Sequence, residues 1–262
     1  MIKETIVDDL SVRIYEDKLL MGADAAKMAG LQIRKLLKEK ENVNIIFAAA
    51  PSQKEFLDGL VKEKNIPWER VNAFHMDEYV GLAEDWPQRF GNFLKEAIFE
   101  RVPFHEVHYL NGMAVSLPEE CERYAALLVR YPPDIVCMGI GENAHIAFND
   151  PHVADFDDPE LVKVVDLDSA CKLQQVNDGC FENVEEVPSF ALSLTIPALM
   201  RASAVICTVP GSFKAEAVYH TLRDHISEKY PSTILRRHPN TILFLDKDSA
   251  RLLSSTQENQ RL

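Results

Sequence analysis

The chain has 262 residues, 47% of them hydrophobic and 26% charged, a balance that suits a folded unit and excludes disorder along most of its length. Its 28 lysines and arginines stand against 41 aspartates and glutamates, a formal charge of -13 that repels nucleic-acid phosphates and sets the expectation of no nucleic-acid partner. A small anionic ligand stays open, because it senses one pocket rather than the net charge.

The first segment, Met1 to Leu10, is acidic and has no apolar signal core. No apolar run approaches the roughly 18 residues of a membrane span, so no membrane association is expected. Asp17–Lys40 carries apolar residues at helical spacing, including Leu20, Ala23, Met28 and Leu31. Val43–Ala48 is a β-branched strand, and Pro51 opens a helix over Ser52–Lys64. Val71–His75 is a second strand. Ser116-Leu-Pro-Glu119 has the form of a capping box for a helix that runs to about Arg130. Asp134–Met138 is a third strand, followed at once by glycines. The acidic stretch Asp155–Glu160 suits a surface loop. Ala204–Val209 is a fourth strand, a helix is expected over Gly211–Glu228, and Thr241–Leu245 is a fifth strand. Gln257–Leu262 is expected to fray.

Unbroken apolar strands are those buried on both faces of a parallel sheet. Their alternation with helices predicts right-handed crossovers. The expected fold class is α/β: a doubly wound, mainly parallel, Rossmann-like sheet with helices on both faces. With no repeats and no linker, residues 1–262 read as a single domain. The five cysteines, Cys121, Cys137, Cys171, Cys180 and Cys207, form no C-x-x-C pair. An odd, scattered set is expected to stay reduced, in a cytoplasmic protein, with Cys137 and Cys207 in the core.

Ligands of open α/β sheets sit at the C-terminal strand ends, which singles out four segments. Ala48–Gln53 leaves a strand for a helix, so its free N–H groups either hold an anion or belong to an ordinary turn. In His75-Met-Asp-Glu-Tyr79, Asp77 and Glu78 stand where catalytic carboxylates sit, with a turn cap as the alternative for Asp77 and a structural role expected for His75. Gly139–Pro151 has two glycines, at 139 and 141, that let backbone approach a ligand closely. His145 follows, with Asn143 as an orienting group and Asp150 as an acidic partner; a structural histidine is the competing interpretation. In Val209–Ala215, Lys214 lies in a first helical turn, where a cation is comfortable only if an anion shares the site. The eight histidines show no metal-ligand spacing, so no metal is expected. No G-x-S-x-G, Walker or G-x-G-x-x-G motif is present, which disfavours a serine hydrolase, a P-loop NTPase and a Rossmann dehydrogenase.

Taken in order, these segments resemble the glucosamine-6-phosphate deaminase/isomerase family, which shares its fold with 6-phosphogluconolactonases. Phe74-His-Met-Asp-Glu-Tyr-Val-Gly-Leu82 resembles that family's F-N-M-D-E-Y-V-G-L, and Leu110-Asn-Gly112 its L-N-G. Gly139–Pro151 is similar to G-x-G-x-D-G-H-I-A-F-N-E-P, Val187-Pro188 with Ala191-Leu192 to V-P-x-x-A-L-T, Gly211–Ala215 to G-x-x-K-A, and Ser232–Pro239 to S-x-L-Q-x-H-P. The resemblance implies an aldose–ketose isomerisation of an amino-sugar phosphate with release of ammonia, and no cofactor. It implies that Asp77 moves a proton between two sugar carbons, that His145 opens the ring with flanking groups Asn143 and Asp150, and that Lys214 contacts phosphate.

Departures accompany it, one being Ile196-Pro197 where the family has a glycine after its A-L-T segment. Asn143 replaces an aspartate, so ring opening is expected to be slow unless Asp150 supplies the charge, and Asn143→Asp is expected to raise turnover. Asp150 replaces a glutamate. The family's G-G-[ST]-P loop becomes Ala49-Ala50-Pro51-Ser52, whose alanines disfavour positive φ. A phosphate-binding arginine has no counterpart in Asp168–Phe181, where Lys172 and Gln175 are the candidates. The expected substrate-binding set is Ala49, Ala50, Ser52, Gln53, Gly141, Lys172 and Lys214. The expected partner is a small-molecule sugar phosphate, and a homo-oligomer is compatible with the sequence. A 6-phosphogluconolactonase-like hydrolase, or a catalytically weakened sugar-phosphate-binding paralogue, is the alternative; the intact M-D-E-Y segment disfavours the first.

Overall fold

A computed structural model describes residues 1–253; the expected fraying of Gln257–Leu262 lies outside the described residues. The chain opens with a hairpin, β1 (Lys3–Val7) and β2 (Leu10–Tyr15), turning through Asp8 at φ 51°. Helix α1 (Lys18–Leu36) is capped by Asp17, whose side chain accepts from the Leu20 N–H. Strand β3 (Val43–Phe47) leads through one 3-10 turn, Pro51–Gln53, into α2 (Lys54–Lys62). Then come β4 (Val71–His75), the short β5 (Asp77–Tyr79), α3 (Phe90–Leu94), β6 (Glu106–His108) and α4 (Leu117–Arg130). Ser116 caps α4 by accepting from the Glu119 N–H, as the capping-box pattern anticipates. The second half runs β7 (Ile135–Met138), β8 (Val162–Asp166), α5 (Ser169–Asn177), β9 (Phe190–Leu194), α6 (Ile196–Met200), β10 (Ala204–Val209), α7 (Ala215–Arg223) and β11 (Thr241–Asp246).

The main sheet has eight strands in the order β1-β2-β11-β10-β7-β3-β4-β6. Every neighbouring pair is parallel except β1 with β2. All five apolar runs predicted as strands lie in its parallel part. Successive residues of a strand face opposite sides, so Ile45 and Phe47 enter one core and Ile46 the other. Both faces are covered, which is why the strand sequences do not alternate. A second, three-stranded antiparallel sheet, β5-β9-β8, is not foreseen by the sequence pattern. It pairs Asp77 with Ser193 and so fixes the backbone that carries Asp77.

The helix expected to reach Glu228 stops at Arg223. Asp224 leaves helical geometry at ψ 169°, and its carbonyl oxygen is taken by Arg236 Nη1 at 2.6 Å, which satisfies the helix end from another part of the chain. Likewise α1 ends at Leu36 rather than Lys40, in a turn where the Lys38, Glu39 and Lys40 amides donate back to Lys35 and Leu36. No helix among the described residues is long and apolar enough to cross a membrane.

From β3 the chain moves outward to β4 and β6; from β7 it moves the other way, to β10 and β11. The loops after β3 and β7 therefore diverge, and a crevice opens between them at the strand C-termini.

Candidate active site

That crevice is a cleft of about 480 Å³, counting its open mouth, and residues from all four singled-out segments line it. Ala49, Ala50, Ser52 and Gln53 come from the loop after β3, Asp77 from β5, Gly141 and His145 from the loop after β7, and Lys214 from the turn before α7. Gln174 and Gln175 of α5, with Phe90 and Phe148, complete the walls.

Asp77 is 7% exposed, and its Oδ1 is buried with no hydrogen-bond partner among the described residues. Burial, followed by the negative charge of Glu78, pushes its pKa well above the usual carboxylate range. Glu78 does not share the cleft. Its Oε1 accepts from the Tyr79 and Phe90 N–H groups, both at 3.0 Å, and its Oε2 from the Gly91 N–H at 2.9 Å. This carboxylate therefore ties β5 to the start of α3 and holds Phe90 in the cleft wall. His75 has the structural role expected of it. Its Nδ1 lies 2.8 Å from the Asp77 carbonyl and its Nε2 accepts from the Leu110 N–H, which assigns the proton to Nδ1. Burial holds its pKa down to about 4, so it stays neutral. The Leu110-Asn-Gly112 segment packs against the same strand: a Cβ on Gly112 would sit 1.8 Å from the Tyr79 carbonyl oxygen, so only glycine fits.

His145 is almost fully buried, and its Nδ1 reaches two oxygens, Asn143 Oδ1 at 2.8 Å and Asp150 Oδ1 at 2.9 Å. Asn143 in turn donates from Nδ2 to Asp150 Oδ1 at 2.8 Å. Asp150 is wholly buried. Burial alone would raise its pKa, but His145, the Asn143 amide and the Asp168 N–H together hold it below the usual range, so it is a carboxylate. The charge missing at 143 is thus supplied from 150. Gly141 lines the cleft and has a second part as well. A Cβ there would lie 2.2–2.4 Å from the His145 ring, so this glycine makes room for the imidazole. Ala144, where the motif has glycine, still adopts the left-handed conformation at φ 67°. Such a conformation costs an alanine about 1–2 kcal/mol, so the turn is held by its surroundings.

The loop after β3 avoids positive φ altogether: Ala50 is extended, at φ -159° and ψ 153°, and the chain enters the 3-10 turn directly. The Ala49 and Ala50 N–H groups donate to nothing among the described residues, whereas Ala48 N–H is engaged with the Cys137 carbonyl. Gln53 lines the cleft, but its amide is occupied: Nε2 donates to the Thr208 carbonyl at 3.2 Å and Oε1 accepts from the Thr208 hydroxyl at 2.9 Å. It braces the loop against β10. Lys214 is 5% exposed, and its ammonium makes no hydrogen bond or ion pair among the described residues. Burial lowers its pKa, against the distant carboxylates of Asp178 and Glu142. A lone buried ammonium facing a cleft is the strongest anion signal in the molecule.

Lys172 does not line the cleft; its Nζ donates to Ser189 Oγ at 3.1 Å on the surface. The inward stripe of α5 is Cys171, Gln174 and Gln175, at i, i+3 and i+4, and Lys172 lies off it. Gln174 accepts from the Glu142 N–H at 2.8 Å, which docks α5 on the loop that carries His145. Gln174 and Phe90 carry no sequence signal of their own, whereas Phe148 lies inside the Gly139–Pro151 motif. The inward stripe of α5 and its Asp168 cap are the available cue for Gln174.

Residues 16–243 match the family model for glucosamine-6-phosphate isomerases/6-phosphogluconolactonase. A glucosamine-6-phosphate deaminase of Bacillus cereus (strain B4264) is 36% identical over 222 residues, which cover 85% of this chain and 82% of that protein. Among solved structures, a monomeric glucosamine-6-phosphate deaminase superposes with a TM-score of 0.82 at 26% identity, covering 92% of this chain and 99% of that one. The 6-phosphogluconolactonase of Thermotoga maritima gives 0.73 at 21% identity, over 91% of this chain and all of its own (100%), a likeness of fold. With the family match spanning nearly the whole described chain, this protein belongs to the glucosamine-6-phosphate isomerase/6-phosphogluconolactonase family of enzymes.

Proposed function

We propose that the protein is a glucosamine-6-phosphate deaminase, converting glucosamine-6-phosphate and water to fructose-6-phosphate and ammonia. The observation that carries this choice within the family is Asp77: a buried carboxylate without a partner on Oδ1, in the same cleft as the His145–Asp150 pair. Lactone hydrolysis has no use for a base that moves a proton between carbons.

The phosphate is held by Lys214 with the free Ala49 and Ala50 amides, a charge-assisted set that needs no glycine loop. His145 takes the proton of the anomeric hydroxyl and delivers one to the ring oxygen, breaking the C1–ring oxygen bond and leaving the open aldehyde. While the imidazole carries the extra proton, Asp150 at 2.9 Å balances its charge. Asp77 then removes the proton from C2; its electron pair forms the C1–C2 double bond of an enolamine, and the carbonyl oxygen is protonated. Return of the proton from Asp77 to C1 leaves an imine at C2. Water adds to that imine, and the C2–N bond breaks to give the ketose and ammonia. A carboxylate whose pKa lies well above the usual range is better matched to taking a carbon-bound proton near neutral pH than an ordinary aspartate.

The test is to supply glucosamine-6-phosphate and 6-phosphogluconolactone separately, following ammonia and fructose-6-phosphate in the first case and acid release in the second. Ammonia and ketose formed in equal amounts support the proposal. Lactone hydrolysis without ammonia release overturns it.

A further inference from the structure

We infer that Asp168 is a positioning residue for the ring-opening histidine, and that Asn143 is an amide because it bridges the two. The inference rests on the deaminase reading of the site.

Asn143 uses both ends of its side chain. Oδ1 accepts from the His145 backbone N–H at 3.1 Å and faces His145 Nδ1 at 2.8 Å. Nδ2 donates to Asp150 Oδ1 at 2.8 Å and to Asp168 Oδ2 at 3.4 Å. Only an amide offers an acceptor to the histidine and donors to two carboxylates at once; an aspartate at 143 would turn lone pairs toward both Asp150 and Asp168. Asp168 is equally committed. Its Oδ1 accepts from the Cys171 N–H at 2.6 Å and caps α5, while its backbone N–H is directed at the Asp150 carboxylate. His152 and Cys171 stand beside these carboxylates, and His152 Nε2 is held by Asp166 at 3.1 Å.

Helix α5 thus meets the His145 loop at two points, Asp168 on Asn143 and Gln174 on the Glu142 N–H. The helix that brings Gln174 and Gln175 to the cleft is locked to the residue that orients the imidazole. The amide departs from the family motif, but it belongs to an arrangement that holds its negative charge on Asp150 and Asp168. The sign expected for Asn143→Asp is therefore reversed: the change places a third carboxylate in the cluster and slows turnover.

The experiment is a four-protein cycle: wild type, Asn143→Asp, Asp168→Asn and the double exchange, each measured for kcat and KM on glucosamine-6-phosphate and for thermal unfolding without ligand. Asparagine caps helices as well as aspartate does, so Asp168→Asn keeps the cap of α5. It turns a donor toward the Asn143 donor and breaks the bridge only. In the double exchange the bridge re-forms with reversed polarity, the new amide at position 168 donating to the new carboxylate at position 143. We expect each single variant to lose kcat by roughly tenfold, and the double to exceed both, with a coupling of about tenfold, in the range found for contacting residues. An active wild type whose variants combine additively in kcat overturns the inference and leaves the deaminase reading standing. Coupling in unfolding but not in kcat also overturns it, since the bridge then supports the fold alone. A wild type that releases no ammonia sinks the deaminase reading itself, and the inference with it.

Discussion

The two sides of the cleft are built on opposite principles. On one side His145, Asn143, Asp150 and Asp168 form a connected network in which the imidazole Nδ1 faces two oxygens and one amide serves three neighbours, with Asp150 Oδ2 its one buried side-chain atom left without a partner among the described residues. On the other, the Asp77 and Lys214 side chains are buried with little or nothing to hold them: Asp77 Oδ1 has no partner, and the Lys214 ammonium pairs with no group among the described residues. The difference follows from what each side does. A proton shuttled between two oxygens needs a ring held in one orientation, and the two oxygens facing Nδ1 supply it. A base for a carbon acid and a cation for phosphate must be free until substrate arrives, so their charges are left unbalanced at a cost to stability.

Breaking the unpaired side gives the largest effects. Asp77→Asn is expected to cut kcat by about 10²–10⁴-fold, the range for loss of a general base, with sugar-phosphate binding retained. The same change should stabilise the fold. A carboxyl whose pKa is raised by folding contributes stability that is complete below its unfolded value and lost as pH climbs through the folded value. Neutral pH lies above the unfolded value, so the wild type has lost stability there that the amide keeps at every pH. Unfolding followed by calorimetry at pH 7 should show the variant melting higher, by about 2 °C for each kcal/mol recovered. An equal or lower melting temperature would mean that Asp77 is not a strained charge.

The connected side breaks through geometry. Gly141→Ala places a methyl 2.2–2.4 Å from the His145 ring, so the imidazole must move. A displacement of about 1 Å can cost 10²-fold, and kcat should fall on that order while KM changes little. Unchanged kcat would show that the ring has room that the backbone does not give it.

Lys214→Met separates binding from chemistry. Loss of one charge-assisted hydrogen bond, about 1.5–3 kcal/mol, should raise KM by roughly 10–100-fold with kcat within a few-fold of wild type. The pH profile sharpens the contrast. Because Asp77 must be ionised to act and its pKa is raised, the acid limb of kcat/KM should lie above the ordinary carboxylate range. Because Lys214 must be protonated to hold phosphate and burial lowers its pKa, KM should begin to climb at a lower pH than an ordinary lysine would allow. Lys172→Ala marks the floor: its side chain serves only Ser189 at the surface, and kcat/KM should change by no more than about twofold, as at other surface positions.

Most of the parallel sheet is legible in the sequence because β3, β4, β7, β10 and β11 are buried on both faces, which writes them as unbroken apolar runs. The second sheet is not, because β5 has only three residues and β8 mixes buried with exposed positions, Val164 and Asp166 being the exposed ones. The site shows the same division. Asp77, His145 and Lys214 each follow a strand end, where position alone points to chemistry. Gln53 and Gly141 look like ligand contacts in the sequence, but hydrogen bonding to Thr208 and clearance for the imidazole are tertiary facts that local spacing does not encode. The charge of Lys172 singles it out, whereas the helix turns Gln174 and Gln175 inward. Asn143 looks like a deficit in the sequence because the neighbour that makes an amide useful, Asp168, lies 25 positions along the chain.

The central claim is that Asp77 carries a proton between two carbons of the bound sugar. Glucosamine-6-phosphate deuterated at C2 tests it directly, with ammonia release timed and the fructose-6-phosphate product analysed for label. We expect a slowed reaction, deuterium found in part at C1 with the remainder lost to water, and neither transfer nor loss with Asp77→Asn. Ammonia release and deuterium transfer to C1 that proceed as fast with Asp77→Asn as with the wild type would contradict it.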